Sequence, residues 1–318
     1  MFWQDDIDPA HEPHKVLIRR GDFVDQARGG RVVPYKIYYP SAHGLAHLPV
    51  IIWSHGLGGG RDGAAFLARF IASYGYVVVH PQHHGTDTSL WEGQPGHPWD
   101  VIRKAVIPRR TTIDRFLDIP FVLDCLPGLA EDQPEVGAHM DLQRAGMAGH
   151  SFGALTAQVM AGQAFPDEQE QLVRFYEDRF RAGILYSFVP MAHLTAAPPD
   201  DLFGPMTWPL LFMTGTQDSS PLKDFDYTYR MPVYDYCGAA EKSLLVLEDG
   251  DHMVFAGSRG KLADHPKRKT HETIIKIISL AFWDYYLKGD ETARVWLYDG
   301  GCAAWLGSEA QWTADIGA

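Results

Sequence analysis

Ser151, Asp218 and His252 are the residues of this chain whose types and order could do chemistry together. A serine hydroxyl is a poor nucleophile at neutral pH. A histidine can take its proton, and a carboxylate can orient that histidine and stabilise its charged form. Ser151 sits in Gly149-His150-Ser151-Phe152-Gly153, between the apolar stretch ending at Ala148 and the helical stretch Ala154 to Met160. A G-x-S-x-G set between strand and helix is the pattern of a sharp turn with serine at its tip, where residues two before and two after must be small. Asp218 follows the apolar run Leu210 to Thr214, in a turn of Gly, Ser and Pro. His252 follows Ser243 to Leu247, on a loop containing Gly250. Singly, each has a bland reading: the serine motif arises by chance, a turn aspartate caps helices, and a loop histidine is commonly solvated. Together the order nucleophile, acid, histidine, each behind its own strand, gives them joint meaning. Asp224 and Asp226 are competing acids. His265 and His271 read as the solvated start of the last long helix.

Two other clusters invite chemistry. His55-Gly56-Leu57-Gly58-Gly59-Gly60 ends a dense apolar run. Its glycines let backbone approach a ligand closely, as in a flexible turn or a donor loop; no G-K-[ST] completes a phosphate loop. His80, His83 and His84 have a spacing open to metal binding, but no Cys or Glu completes a set, so the expectation is no metal and a structural role at a strand end. Arg109, Asp114 and Asp118 read as ion pairs along one helix.

These residues need a scaffold. Lys15 to Arg20 and Val32 to Tyr39 read as strands around the turn Arg28-Gly29-Gly30-Arg31. Leu48 to Ser54 and Tyr76 to His80 are apolar enough to be buried on both faces. Further strands are expected at Ala182 to Phe188, Leu210 to Thr214 and Ser243 to Leu247. Helical spacing marks Gly63 to Ser73, Arg109 to Leu126 (with Pro120 expected to kink or split it), Pro166 to Arg181, and His271 to Leu287. Strands alternating with helices imply an α/β fold with a mostly parallel sheet of about eight strands and helices on both faces. No linker divides the chain, so residues 1–318 read as one domain, with 1–14 a loosely held arm. The excursions 81–108 and 188–208 follow strands, where open α/β sheets bind ligands. Their aromatic and apolar residues supply the expected pocket walls: Trp91, Trp99, Phe188, Met191 and Trp208, joined by Met253 beside the histidine.

Composition excludes several roles. Lys plus Arg number 28 against 40 Asp plus Glu, for a formal charge of −12, which argues against nucleic acid or an anionic membrane as partner. No apolar run reaches the length of a membrane span, and the acidic N-terminus lacks the form of a signal peptide. Three scattered cysteines, Cys125, Cys237 and Cys302, suit a reducing compartment, and the expected location is cytoplasmic.

The loop His55 to Gly59, the motif Gly149 to Gly153, Gly215-Thr216-Gln217-Asp218, Gly250-Asp251-His252 and the ending Phe282 to Gly289 resemble the α/β-hydrolase superfamily. Within it, they resemble the group around dienelactone hydrolases, chlorophyllases and platelet-activating-factor-acetylhydrolase-like esterases, over residues 30–297. Dienelactone hydrolases carry a cysteine nucleophile where this chain has Ser151. The resemblance implies a cofactor-free serine esterase acting on a small-molecule ester, with small to medium acyl or aryl groups. Ser151 would attack the carbonyl, His252 would move the proton, and Asp218 would hold the histidine. The backbone N–H groups of Leu57 and Phe152 would receive the oxyanion. The alternatives are thioester, amide or polyester cleavage, and a non-enzymatic ligand receptor on the same fold.

Overall fold

The computed structural model describes residues 2–41, 44–137, 139–220, 225–257 and 265–317. The β-branched and aromatic runs form strands β1 (Val16–Asp25), β2 (Arg31–Pro40), β3 (Leu48–Ser54) and β4 (Val77–Pro81), and β5 (Met140–His150) joins them with small and unbranched residues at its buried end. They continue as β6 (Phe165–Pro166), β7 (Leu172–Val173), β8 (Phe180–Tyr186), β9 (Leu210–Gln217), β10 (Lys242–Asp251) and β11 (Ala310–Asp315). The helices are α1 (Ala65–Ser73), α2 (Pro98–Lys104), α3 (Arg109–Asp132), α4 (Pro134–Gly137) and α5 (Phe152–Met160). After them come α6 (Pro199–Phe203), α7 (Met231–Asp235), α8 (Arg268–Lys288), α9 (Glu291–Tyr298) and α10 (Gly301–Leu306).

Among the described residues, nine strands make one sheet in the order β1-β2-β4-β3-β5-β8-β9-β10-β11. The six from β4 to β10 run parallel, while β1, β2 and β11 join antiparallel at the edges. Side chains along β3 divide between two cores: Val50 and Ile52 face the layer of α3 and α5, and Ile51 and Trp53 face the layer of α1 and α8. This is the period of two expected of a strand covered on both faces. The chain runs from β3 to β4 on one side and later places β5 on the other. Such a reversal of strand order opens a crevice at the carboxyl ends of the strands. This is the α/β-hydrolase fold.

Four expectations are corrected. Pro166 to Arg181 is not a helix; it holds the hairpin β6–β7 and the start of β8. The Asp167 carboxylate accepts from the N–H groups of Gln169 and Gln171, and Glu170 takes φ 60°, so the local turn chemistry breaks the helical run. Arg109 to Asp132 is not split at Pro120; it forms one helix that contains both Pro120 and Pro127. The N-terminal arm is docked: Trp3 Nε1 donates to Asp284 at 3.0 Å, and Phe2 and Trp3 pack on Trp296, with Phe2 also against Trp305. The stretch 188–208 packs largely into the core, with Phe188, Met191, Leu202, Phe203, Met206 and Trp208 buried. The elements α9, α10 and β11 close the far edge and went unforeseen, because at 8, 6 and 6 residues they are too short for a periodic pattern to stand out.

Candidate active site

The serine turn is built by contacts that only glycine permits. A Cβ on Gly149 would collide with the Gly153 backbone, and one on Gly153 with the Ser54 carbonyl at the end of β3. Ser151 itself takes φ 55° and ψ −118°, a strained conformation for a residue with a side chain. Its N–H donates to the Tyr186 carbonyl on β8 at 2.9 Å, which ties the turn to the neighbouring strand. Helix α5 starts at the next residue, so the serine lies at its positive end.

Asp218 stands just past β9 and His252 just past β10. His252 Nδ1–H donates to Asp218 Oδ1 at 2.8 Å, which leaves Nε2 free to accept from the Ser151 hydroxyl at 3.0 Å. Thr214 Oγ1 donates to the other carboxylate oxygen, Oδ2, at 2.8 Å. Asp218 is fully buried. Burial works to raise its carboxyl, but the charges of His252 and Arg230 and the hydrogen bond from His252 outweigh it and hold the acid below the usual range. Asp226 is exposed and caps the next turn through the Thr228 N–H, so it does not meet His252. Asp224 lies outside the described residues.

The loop after β3 lies against the serine: a Cβ on Gly56 would sit 3.5 Å from that of Ser151. Gly58 takes φ 71°, and its N–H donates to the Thr86 carbonyl. Among the described residues, neither the Leu57 nor the Phe152 N–H has an intramolecular acceptor. Two backbone donors, one in the loop against the serine turn and one at the residue after the serine, are therefore available to a ligand. The buried Arg115 braces this region from below. Its guanidinium donates to Thr156, Thr86 and Ser54 hydroxyls at 2.8 Å and to the His55 carbonyl, and it lies 4.8 Å from the centre of the Phe152 ring.

A cleft of about 920 Å³ opens over Ser151 and His252. Trp91, Trp99 and Met253 line it, together with Leu57, Phe66 and Ile102. Trp91 Nε1 donates to the Gly58 carbonyl at 2.8 Å, which anchors the 81–108 excursion to the Leu57 loop. Phe188, Met191 and Trp208 are not cleft residues. All three are buried in the core beneath β8 and β9, where apolar area gains most from leaving water.

The histidine cluster disperses. His80 is buried between Tyr38 and Trp53, while His83 joins a ladder behind the Leu57 loop. Ser54 donates to His83 Nε2 at 3.0 Å, and His83 Nδ1–H donates to Asp118 at 3.0 Å. Burial, then the neighbouring Arg115 charge, pulls His83 down to about 4. Asp118 pairs with Arg28 and Arg31 rather than along its own helix; burial works to raise it, but Arg31 and His83 bring it to about 2. Arg109 reaches Glu170, and Asp114 meets Arg110. Among the described residues no group of His, Cys, Asp and Glu is arranged to hold a metal ion. His271 is buried, not solvated, and its Nε2–H donates to the Glu248 carbonyl at 2.9 Å.

Three residues beside the serine and histidine escaped the sequence reading. His150 Nε2–H donates to the His252 carbonyl at 2.7 Å. Arg230 donates to Asp218 at 2.8 Å. Arg115 had a signal: with Thr112, Phe116, Ile119, Val122 and Leu123 it falls on the buried stripe of α3, where an arginine must find partners. Arg230 had none, since nothing in Tyr227-Thr228-Tyr229-Arg230 marks it.

Among the described residues no helix is long and apolar enough to cross a membrane. A search of curated proteins found no match to the chain. The family model described as platelet-activating factor acetylhydrolase, isoform II, matches residues 32–91, which span β2, β3, the Leu57 loop, α1 and β4 but not Ser151, Asp218 or His252. The chain thus has the α/β-hydrolase fold and, over residues 32–91, resembles the platelet-activating factor acetylhydrolase family.

Proposed function

We propose that this protein is a serine hydrolase that cleaves carboxylic esters of small to medium size through an acyl-enzyme on Ser151. One observation carries the reading: Ser151, His252 and Asp218 stand hydrogen-bonded in series at the ends of β5, β10 and β9, at 3.0 and 2.8 Å. The partial match to an acetylhydrolase family supports the ester-hydrolysing class.

The geometry supports the following steps. Ser151 Oγ bonds to the ester carbonyl carbon as its proton passes to His252 Nε2. The carbonyl oxygen becomes an oxyanion that accepts from the Leu57 and Phe152 N–H groups. As the tetrahedral intermediate collapses, the alkoxy C–O bond breaks and His252 gives its proton to the leaving alcohol. Water then attacks the acyl group with His252 again as base, releasing the acid and restoring Ser151. Asp218 keeps the proton on Nδ1 and stabilises the imidazolium. No cofactor enters these steps. The cleft walls Trp91, Trp99, Leu57 and Met253 offer apolar and aromatic surface for the substrate's acyl or aryl part.

The test is hydrolysis of short p-nitrophenyl esters together with labelling by a fluorophosphonate. The wild-type protein should turn over the ester and take the label on Ser151. Ser151→Ala should lose both, with kcat/KM down by at least about 1,000-fold and an unchanged circular dichroism spectrum. An inert, unlabelled wild-type protein would favour a ligand receptor, and full activity in Ser151→Ala would sink the assignment.

A further inference from the structure

We propose that Arg230 is a positioning residue of this site: it holds the Asp218 carboxylate toward His252 and, by opposing positive charge on the imidazole, extends toward acid the pH range in which His252 acts as a base. The proposal rests on the roles given above to Ser151, His252 and Asp218.

Arg230 is built in. Its side chain is 2% exposed, at the end of the turn Tyr227–Arg230. Nη1 donates to the carbonyls of Phe188 at 2.6 Å and Ser187 at 3.3 Å. The guanidinium lies 5.4 Å from the centre of the Phe225 ring. Nη2 donates to Asp218 Oδ1 at 2.8 Å, the same oxygen that accepts from His252 Nδ1–H. Arg230 Nη2 and His252 Nδ1 are 3.2 Å apart, and each lies 2.8 Å from that one oxygen.

That sharing has two consequences. The carboxylate is fixed by donors on both oxygens, since Thr214 holds Oδ2, so its aim toward His252 is set before substrate arrives. The guanidinium also takes part of the negative charge that would otherwise stabilise an imidazolium, and adds a like charge beside it. Both effects disfavour protonated His252. The other groups around the pair do not do this. His150, from the end of β5, is held neutral: burial, then the His252 charge, lowers it to about 3. Asp251, on the histidine's own loop, accepts from the N–H groups of Met253 and Val254. Arg268 and Glu272, on the cleft wall, pair with each other at 2.8 Å. Of the described groups hydrogen-bonded to His252 or Asp218, Arg230 alone is a permanent cation.

The experiment is the pH profile of kcat/KM for a soluble p-nitrophenyl ester in wild type, Arg230→Gln and Arg230→Lys. Arg230→Gln should move the acid limb to higher pH by about one unit, beyond any loss of rate at the plateau. Arg230→Lys keeps the charge and should hold the limb near its wild-type position while lowering kcat. A limb that stays put in Arg230→Gln, or that shifts equally in Arg230→Lys, overturns the proposal and leaves Arg230 a packing residue. If Arg230→Gln does not fold, the limb in Arg230→Lys decides: unmoved it supports the role of charge, shifted upward it refutes it. Failure of the underlying reading looks different: the wild-type protein would then be inert and unlabelled, or Ser151→Ala would retain hydrolysis.

Discussion

His150 Nε2–H donates to the carbonyl of His252 at 2.7 Å, so the residue before the serine holds the loop that carries His252. The two imidazole rings lie 4.8 Å apart. Because a carbonyl can only accept, the bond fixes the proton of His150 on Nε2, and burial keeps that ring neutral. The serine turn and the histidine loop thus come from strands separated in the sheet by β8 and β9, yet are locked to one another directly.

His150→Leu should lower kcat for short p-nitrophenyl esters by about 10- to 100-fold with little change in KM, because a displaced base costs rate more than binding. His150→Gln, which can still donate, should recover part of the loss. Steady-state kinetics beside a circular dichroism check on folding would decide it.

Asp218→Asn should reduce kcat by about 10³- to 10⁴-fold, since an amide can present its NH₂ to Nδ1 and stabilise the wrong tautomer. Asp226→Asn, at an exposed cap, should leave the rate unchanged. The reverse result would move the acid to another position.

Gly153→Ala should destabilise the fold by about 3 kcal/mol or more in urea unfolding, because the new methyl meets the Ser54 carbonyl rather than a yielding side chain. A variant as stable as wild type would show that the approach of α5 to β3 relaxes freely.

Trp99→Ala should change selectivity more than rate. The cleft wall loses a large apolar face, so KM for long acyl or aryl esters should rise several-fold against a nearly constant KM for acetate esters. A panel of p-nitrophenyl esters of increasing chain length reads this out.

Acid stability should carry the mark of buried His80. Burial, then the Lys36 charge, lowers it from the ordinary value to about 3. Between that pH and about 6.5 the unfolded chain binds a proton that the folded chain refuses, so stability falls as pH falls. His80→Phe keeps a ring on Trp53 and removes that uptake. Within the window its stability should vary less with pH than wild type, by about 1.4 kcal/mol per pH unit. Urea unfolding at pH 4, 5 and 6 tests this; an unchanged slope would mean His80 does not titrate on unfolding.

What the chain determines by itself is local. The unbroken apolar runs Leu48 to Ser54 and Tyr76 to His80 call for strands covered on both faces, and the matching strands are there. The glycines at 149 and 153 announce a sharp turn, because no other residue tolerates the backbone contacts found there. The order of Ser151, Asp218 and His252, each behind an apolar run, anticipates three strand ends that the sheet gathers along its carboxyl edge. What only the tertiary structure decided depends on partners distant in sequence. Whether an aromatic residue faces a cleft or a core is not written in its neighbours: Trp91 and Trp99 line the cleft, whereas Phe188 and Trp208 fill the interior. Charged side chains are the sharpest case. Arg115 and Arg230 would read as solvated in isolation, and they are buried because carbonyls, hydroxyls and a carboxylate from other strands converge on them. Burying a charge is tolerable only when the fold supplies such partners, and only the assembled sheet brings them together.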